Sequence, residues 1–322
     1  MIEEITQSLA AIPDLQVVAG APLASCTRFG IGGPAAILVE SSEAASFTRA
    51  LVTARSSGAA VTVIGGGTNL IVSDEGFPGV VLRFRSDRIV ASGNRIEADA
   101  GADLDALVRV TVQRGLKGLE TLARIPGWVG GAVYGNAGAY GRSISEAIAE
   151  VTIADGLGQR ILAGGECGFA YRESVFKRRK DWVILSVTLL LEDGDPVELG
   201  RVSEEIRRTR DQKFPPEMKC AGSIFKNLRV AELPAELSAE LPSSVVREGK
   251  APAAWFLEQA GAKGMSQGGM RVADYHANLI YNAGGGTAQE LLTLIANLKT
   301  RVGDRFGLKL EEEVQFIGFE ER

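Results

Sequence analysis

Residues 125–141 read Ile-Pro-Gly-Trp-Val-Gly-Gly-Ala-Val-Tyr-Gly-Asn-Ala-Gly-Ala-Tyr-Gly and hold six glycines. The run has too little apolar periodicity for a helix and too much glycine for a good strand. Glycine loses more backbone entropy than any other residue when fixed, so a cluster of it needs a reason. Either the backbone takes angles closed to other residues, or it lies against something large. A Gly-rich surface loop and a bed for a flat or phosphorylated ligand are both open readings. Trp128, Val129, Ala132 and Val133 are poor residues for a solvated loop and favour the bed.

The totals exclude several classes. A net charge of -5 argues against sequence-independent nucleic-acid binding, which needs a basic surplus. No apolar stretch approaches the roughly 18 residues of a membrane span, and the acidic start Met-Ile-Glu-Glu-Ile is unlike a secretory signal, so a cytoplasmic location is expected. Cys26, Cys167 and Cys220 are odd in number and widely spaced, which fits neither a disulfide framework nor a metal site. His276 is the single histidine, so a His-rich metal centre is impossible and no metal is expected. Proton chemistry must rest on carboxylates, Lys, Tyr, Ser or Cys. With 322 residues the chain has room for two or three domains.

Along the chain, Thr27-Arg28-Phe29-Gly30-Ile31-Gly32-Gly33-Pro34 leads into a strand at 36–39 and a helix that Ser42 can cap. The apolar run 61–64 reads as a buried strand feeding Gly65, Gly66, Gly67, Thr68 and Asn69. A glycine turn after a strand can aim backbone N–H groups at a phosphate, although a generic tight turn reads the same way. Helical spacing recurs at Leu104, Leu107, Val108 and Val112 and in a polar helix over 197–213 that stops at Pro215-Pro216. Residues 228–252 carry three prolines and many small or charged side chains, so a loosely ordered surface insertion is expected. Thr287 and Glu290 form a capping box before an apolar stripe at Leu291, Leu294, Ile295, Leu298 and Val302.

Six segments, in order, resemble those of the bacterial UDP-N-acetylenolpyruvoylglucosamine reductases. They are Thr-Arg-Phe-Gly-Ile-Gly-Gly-Pro-Ala, Ile-Gly-Gly-Gly-Thr-Asn-Leu, the Gly-rich run itself, Tyr-Arg-x-Ser-x-Phe-Lys, Gly-Ser-x-Phe-Lys-Asn and the terminal Glu-Val-x-Phe-Ile-Gly. The resemblance covers about 27–318. It departs at Leu228, where a proline is common, and in the short loop after Lys177, which lacks a substrate-covering tyrosine loop.

The resemblance implies an α+β flavoprotein of the vanillyl-alcohol-oxidase (PCMH-like) type. An FAD-binding domain would span 1–198, with subdomains of about 1–84 and 85–198. An α+β substrate domain would span 199–322, its last strand returning to the first subdomain. Non-covalent FAD would lie on Gly65, Gly66, Gly67, Thr68 and Asn69 and on Gly127, Gly130, Gly131, Ala132, Asn136, Gly138, Tyr140 and Gly141. The implied reaction passes hydride from NADPH through flavin N5 to an enolpyruvyl ether, making UDP-N-acetylmuramate for peptidoglycan. Arg172 would stabilise the charge left on the substrate, Glu313 would assist at its carboxylate, and Ser223 would donate the proton. Tyr171, Arg210, Lys213, Asn227, Lys263 and Asn278 would contact the UDP-sugar, and a monomer is expected. An oxidase of the wider fold and a non-catalytic nucleotide-binding module are the alternatives.

Overall fold

A computed structural model describes residues 2–319, and the chain divides into two compact units. The first comprises the chain to Ala21, Ala35–Gly67 and Phe77–Gln212; the second comprises Pro22–Pro34, Thr68–Gly76 and the chain from Lys213 onward.

The first unit packs its two larger sheets over one core, with two two-stranded ribbons beside them. Strands Gln16–Pro22, Pro34–Ser41, Phe77–Phe84 and Val61–Val63 lie side by side in that order, and the last three run parallel. Parallel pairing buries both faces, which fits the near-continuous apolar run from Val80 to Leu82. Helix Ala44–Ser56 lays Phe47, Ala50, Leu51 and Ala54 into the core, as their spacing demands. Its N-cap is Glu43, not Ser42. The second sheet is antiparallel, in the order Gln159–Ala163, Ile148–Ala154, Val183–Leu190, Arg95–Asp99 and Ile89–Ser92. Helix Leu104–Gln113 is capped by Asp103, which accepts the Ala106 N–H at 2.8 Å.

The polar helix Pro196–Lys213 belongs to this unit as far as Gln212. Leu199 and Ile206 join its core, and both terminal nitrogens of Arg207 reach Asp105 at 2.9 Å. The first compact unit closes at Gln212.

The second unit is built on antiparallel strands Cys220–Ser223, His276–Asn282, Met270–Ala273 and Ser266–Gln267. Helix Ala288–Phe306 buries the stripe read from the sequence, and its start carries the Thr287–Glu290 capping box. Asp74 adds a second cap, accepting the N–H groups of Ala288 at 2.8 Å and Gln289 at 2.9 Å. The final strand Gln315–Ile317 pairs parallel with Leu70–Val72. That partner falls within the 1–84 of the expected first subdomain but groups with the second unit.

In the Thr27–Pro34 motif, Gly32 and Gly33 are required by close packing within the protein. A Cβ on Gly33 would stand 2.2 Å from the Asp74 carbonyl oxygen, and one on Gly32 would stand 2.7 Å from the Val72 Cβ. The region 228–252 is also not the loose insertion expected. It folds as strands Leu228–Arg229 and Lys250–Ala251 with helix Ala235–Glu240 between them. Leu237, Leu241 and Ala251 are buried in the core of the second unit, anchors enough to order an otherwise polar segment.

Candidate active site

The Gly-rich run is part helix. Val129, Ala132 and Val133 are buried at helical spacing, and Val129–Tyr134 forms a short α-helix despite Gly130 and Gly131. The run shows too little apolar periodicity to predict a helix, and its glycines disfavour one as well. Tertiary packing overrides that preference here. A Cβ on Gly130 would come within 2.8 Å of the Ala100 Cβ, and one on Gly138 within 2.6 Å of the Arg142 carbonyl oxygen. These two glycines answer to the protein's own backbone. Gly131 is different: a Cβ there would meet no atom within 4 Å. The bed thus has an uncovered side at Gly131, where a bound group can approach the main chain. The N–H groups of Val129 and Gly130 are taken by the Ala102 and Ala100 carbonyls at 2.8 and 2.9 Å. They are not available to a phosphate.

Trp128 links the two Gly-rich segments of the first unit. A Cβ on Gly66 would stand 3.1 Å from its indole, so a side chain there would crowd the ring. Arg83 stacks over the same indole at 4.9 Å, and Glu40 holds Arg83 at 2.7 Å and Arg85 at 3.1 Å. Nothing in the sequence pointed to Arg83. Trp128 was visible as the one tryptophan in the Gly-rich run.

Arg172 and Tyr171 form the tip of a tight turn, with Ala170 and Glu173 exchanging N–H···O bonds at 3.0 and 3.1 Å. The turn docks on the bed. Arg172 Nη2 donates to the Gly138 carbonyl at 3.1 Å, and Ser174 Oγ to that of Tyr134 at 2.7 Å. The Asn136 side chain is occupied in the same task, donating to the Ala170 carbonyl at 2.9 Å and accepting the Ser145 N–H at 3.3 Å. Arg172 itself has φ 55, a left-handed conformation that costs a non-glycine residue of the order of 1 kcal/mol. Asn136 (φ 43) and Tyr140 (φ 51) share this conformation, and Tyr140 is exposed.

Arg210 meets the segment leading into the bed: its Nε donates to the Arg124 carbonyl at 3.2 Å. Arg124 (φ 64) gives its own N–H to Asp105 at 2.7 Å and its Nε to Asp211 at 2.6 Å. Burial pushes the Asp105 carboxyl upward, but the Arg207 hydrogen bonds, the Arg124 N–H and the nearby arginine charges outweigh it. The net result lies below the usual carboxylate range.

The second unit carries Ser223, Glu313, Lys213, Asn227, Lys263 and Asn278. Ser223 ends its strand after a bulge at Gly222 (φ 75) and pairs with Leu279, so it is not a helix cap. Glu313 lies across the next residue, donating its N–H to the Ile224 carbonyl at 2.7 Å. Its neighbours are engaged by lysines: Glu311 by Lys226, and Glu312 by Lys299 at 2.8 Å. Asn227 Oδ1 accepts the Ala253 N–H at 3.3 Å, at the start of helix Ala253–Gln259. Lys263 pairs with Glu258 at the surface. Lys213 Nζ lies over the Phe214 ring at 5.3 Å. Asn278 is 2% exposed, and both ends of its amide are held by Phe225. His276, which the sequence reading set aside, is largely buried, and its Nε2 has no partner among the described residues. Burial first, then the charges of Lys213 and Lys263, push its pKa down to about 3. No acidic, His or Cys cluster suited to a metal ion occurs among the described residues, and no helix there is long and apolar enough to cross a membrane.

Comparison with known proteins covers both units. Residues 34–164 match the family described as FAD binding domain, and 214–317 match the C-terminal domain of UDP-N-acetylenolpyruvoylglucosamine reductase. The chain is 59% identical over 310 residues to the UDP-N-acetylenolpyruvoylglucosamine reductase of Solibacter usitatus, covering 96% of this chain and 99% of that one. It is 38% identical over 308 residues to the Gloeobacter violaceus enzyme, covering 94% and 97%. The crystal structure of the reductase from Thermus caldophilus superposes with a TM-score of 0.72 at 29% identity, covering 94% of this chain and 98% of that one. A PCMH-like FAD-binding domain followed by this C-terminal domain is the fold, FAD is the cofactor, and the chain belongs to the UDP-N-acetylenolpyruvoylglucosamine reductase family of flavin-dependent oxidoreductases.

Proposed function

We propose that the protein reduces UDP-N-acetylglucosamine enolpyruvate to UDP-N-acetylmuramate with NADPH, with Ser223 as proton donor, Arg172 as cationic stabiliser and Glu313 as helper. The observation that carries the reading is the placement of Ser223 and Glu313. One ladder of the second unit holds them on either side of Ile224, which the Glu313 N–H grips at 2.7 Å.

Bound FAD would supply the hydride chemistry, between NADPH and the terminal enolpyruvyl carbon. The chain's residues manage everything else. Gly65, Gly66, Gly67, Thr68 and the uncovered face at Gly131 hold the cofactor through main chain. No His or Cys stands in either Gly-rich segment to tether it. The reduced substrate carries negative charge delocalised into its carboxylate, and the Arg172 guanidinium offsets that charge. Glu313 assists at the same carboxylate by hydrogen bonding. The Ser223 hydroxyl then protonates the carbon. Serine is a weak acid, but the enediolate is a strong base, so a weak acid suffices. Tyr171, Arg210, Lys213, Asn227 and Lys263 are candidates for the nucleotide-sugar, acting as a soluble monomer in the cytoplasm.

The test separates the half-reactions. Ser223→Ala should bleach normally with NADPH and reoxidise roughly 10²–10⁴-fold more slowly with the enolpyruvyl substrate under anaerobic conditions. Acid precipitation of the wild type should leave free FAD in the supernatant. Wild-type reoxidation in the variant makes the serine structural, and colour retained in the pellet favours a covalent oxidase.

A further inference from the structure

We propose that Asn278 is a positioning residue for Ser223, not a contact for the substrate; the inference rests on the reading of Ser223 as proton donor. The Asn278 side-chain oxygen accepts the Phe225 N–H at 2.9 Å, and its side-chain nitrogen donates to the Phe225 carbonyl at 2.9 Å. One carboxamide thus closes on both main-chain groups of a single residue two places beyond the serine. Both polar ends are engaged by main chain, and at 2% exposure the side chain presents almost no surface to a ligand.

The surrounding ladder shows why such a clamp is needed. The bulge at Gly222 interrupts pairing before Ser223, and the regular strand ends at Ser223 itself. Beyond it, Ile224 donates to the Asn278 main-chain carbonyl at 3.0 Å. On the opposite edge Glu313 grips the Ile224 carbonyl at 2.7 Å, and the Lys226 N–H reaches the Glu311 carbonyl at 2.9 Å. Phe225 is fully buried, so its N–H and C=O must be paired inside the protein. The Asn278 side chain stands in for the peptide group that a continuing strand would have supplied. A carboxamide carries its acceptor and its donors on two separate atoms, as a peptide group does, whereas a hydroxyl has both on one oxygen and an aliphatic side chain has neither. The clamp holds the backbone leaving Ser223, and with it the direction of the hydroxyl. A displacement of about 1 Å at a reacting group can cost 10²-fold in rate.

Asn278→Asp is the discriminating variant. A protonated carboxylic acid keeps both bonds: its carbonyl accepts the Phe225 N–H and its O–H donates to the Phe225 carbonyl. A carboxylate keeps only the first and faces the carbonyl oxygen with negative charge. Burial beside that oxygen raises the pKa of the new group, so the clamp is complete at acid pH and opens as pH rises through the raised value. Between pH 5 and 9, anaerobic reoxidation of the reduced variant by the enolpyruvyl substrate should fall roughly 10- to 100-fold relative to wild type at each pH. Bleaching by NADPH should stay within about two-fold of wild type, since it needs no proton from Ser223. Asn278→Ala, which has no titrating group, should be slow in the same half-reaction without that extra pH dependence. It serves as the measurement should the Asp variant not fold above neutral pH. Ser223→Ala is run alongside. If it is slow while both Asn278 variants reoxidise at the wild-type rate, Asn278 is only structural and the proposal falls. If Ser223→Ala itself reoxidises normally, the proposal falls with the serine reading instead.

Discussion

Asn69 donates its side-chain amide to the main-chain oxygen of Glu313 at 3.0 Å, across 244 positions of sequence. Its own carbonyl accepts the Gln315 N–H at 2.9 Å, so the residue that ends the Gly65–Gly66–Gly67–Thr68 turn braces the segment bearing Glu313 from two sides. Asn69→Ala removes one partly buried hydrogen bond and should lower stability by roughly 0.5–1.5 kcal/mol. Asn69→Asp should cost more, because it places a carboxylate against a carbonyl oxygen. Urea unfolding of both variants checks the order; a harmless Asp variant would contradict the contact.

The histidine gives a prediction about acid. His276 has its pKa lowered from 6.5 to about 3, first by burial and then by Lys213 and Lys263. A base with a depressed folded pKa contributes stability that is complete above its unfolded pKa and lost as pH falls toward the folded one. Wild-type protein should therefore weaken from about pH 6.5 downward, and His276→Phe should weaken less over that window. The chain has one imidazole, so its proton resonance is unambiguous. It should not titrate between pH 5 and 8 in the folded protein; a midpoint near 6.5 would place the ring in solvent.

Residues 228–252 should resist proteolysis while their leucines stay in place. Leu237 and Leu241 are each 8% exposed and sit in the core of the second unit. Leu237→Ala should cost about 2–4 kcal/mol and open the segment to trypsin or chymotrypsin before the rest of the chain. Cleavage there in the wild type, at the rate seen in the variant, would mean the leucines do not anchor it.

The sequence made some of this legible and concealed the rest for identifiable reasons. The Thr287–Glu290 box and the Leu291–Leu298 stripe are local patterns, and the helix appears where they put it. The catalytic candidates were reached through ordered motifs, not through periodicity. The roles of glycines were not readable, because the same residue answers different neighbours: Gly130 lies against Ala100, Gly33 against Asp74, and Gly131 against nothing. Asp74 capping a helix more than two hundred residues away, and the Asn278 side chain bonding the Phe225 main chain, depend on tertiary partners that no local window contains. Composition misjudged 228–252, since two well-placed leucines outweigh an average.

The last prediction separates the chemistry of Arg172 from the strain in its backbone. Arg172 occupies φ 55 at the tip of its turn, a conformation glycine takes at no steric cost. Its guanidinium reaches the Gly138 carbonyl at 3.1 Å and lies over the Tyr171 ring at 5.3 Å. Arg172→Ala loses the charge and these contacts but keeps a Cβ in the left-handed region. Arg172→Gly loses the same contacts and relieves that strain. Relief of roughly 1–2 kcal/mol of left-handed strain outweighs the extra freedom glycine has in the unfolded chain, so the Gly variant should be the more stable of the two. Both should reoxidise slowly with the enolpyruvyl substrate and to a similar degree, because the missing charge is common to them. Thermal unfolding and anaerobic rapid mixing on the pair supply the two readings. A Gly variant that regained the substrate half-reaction would show that the turn's geometry, not the guanidinium, is what the reaction needs.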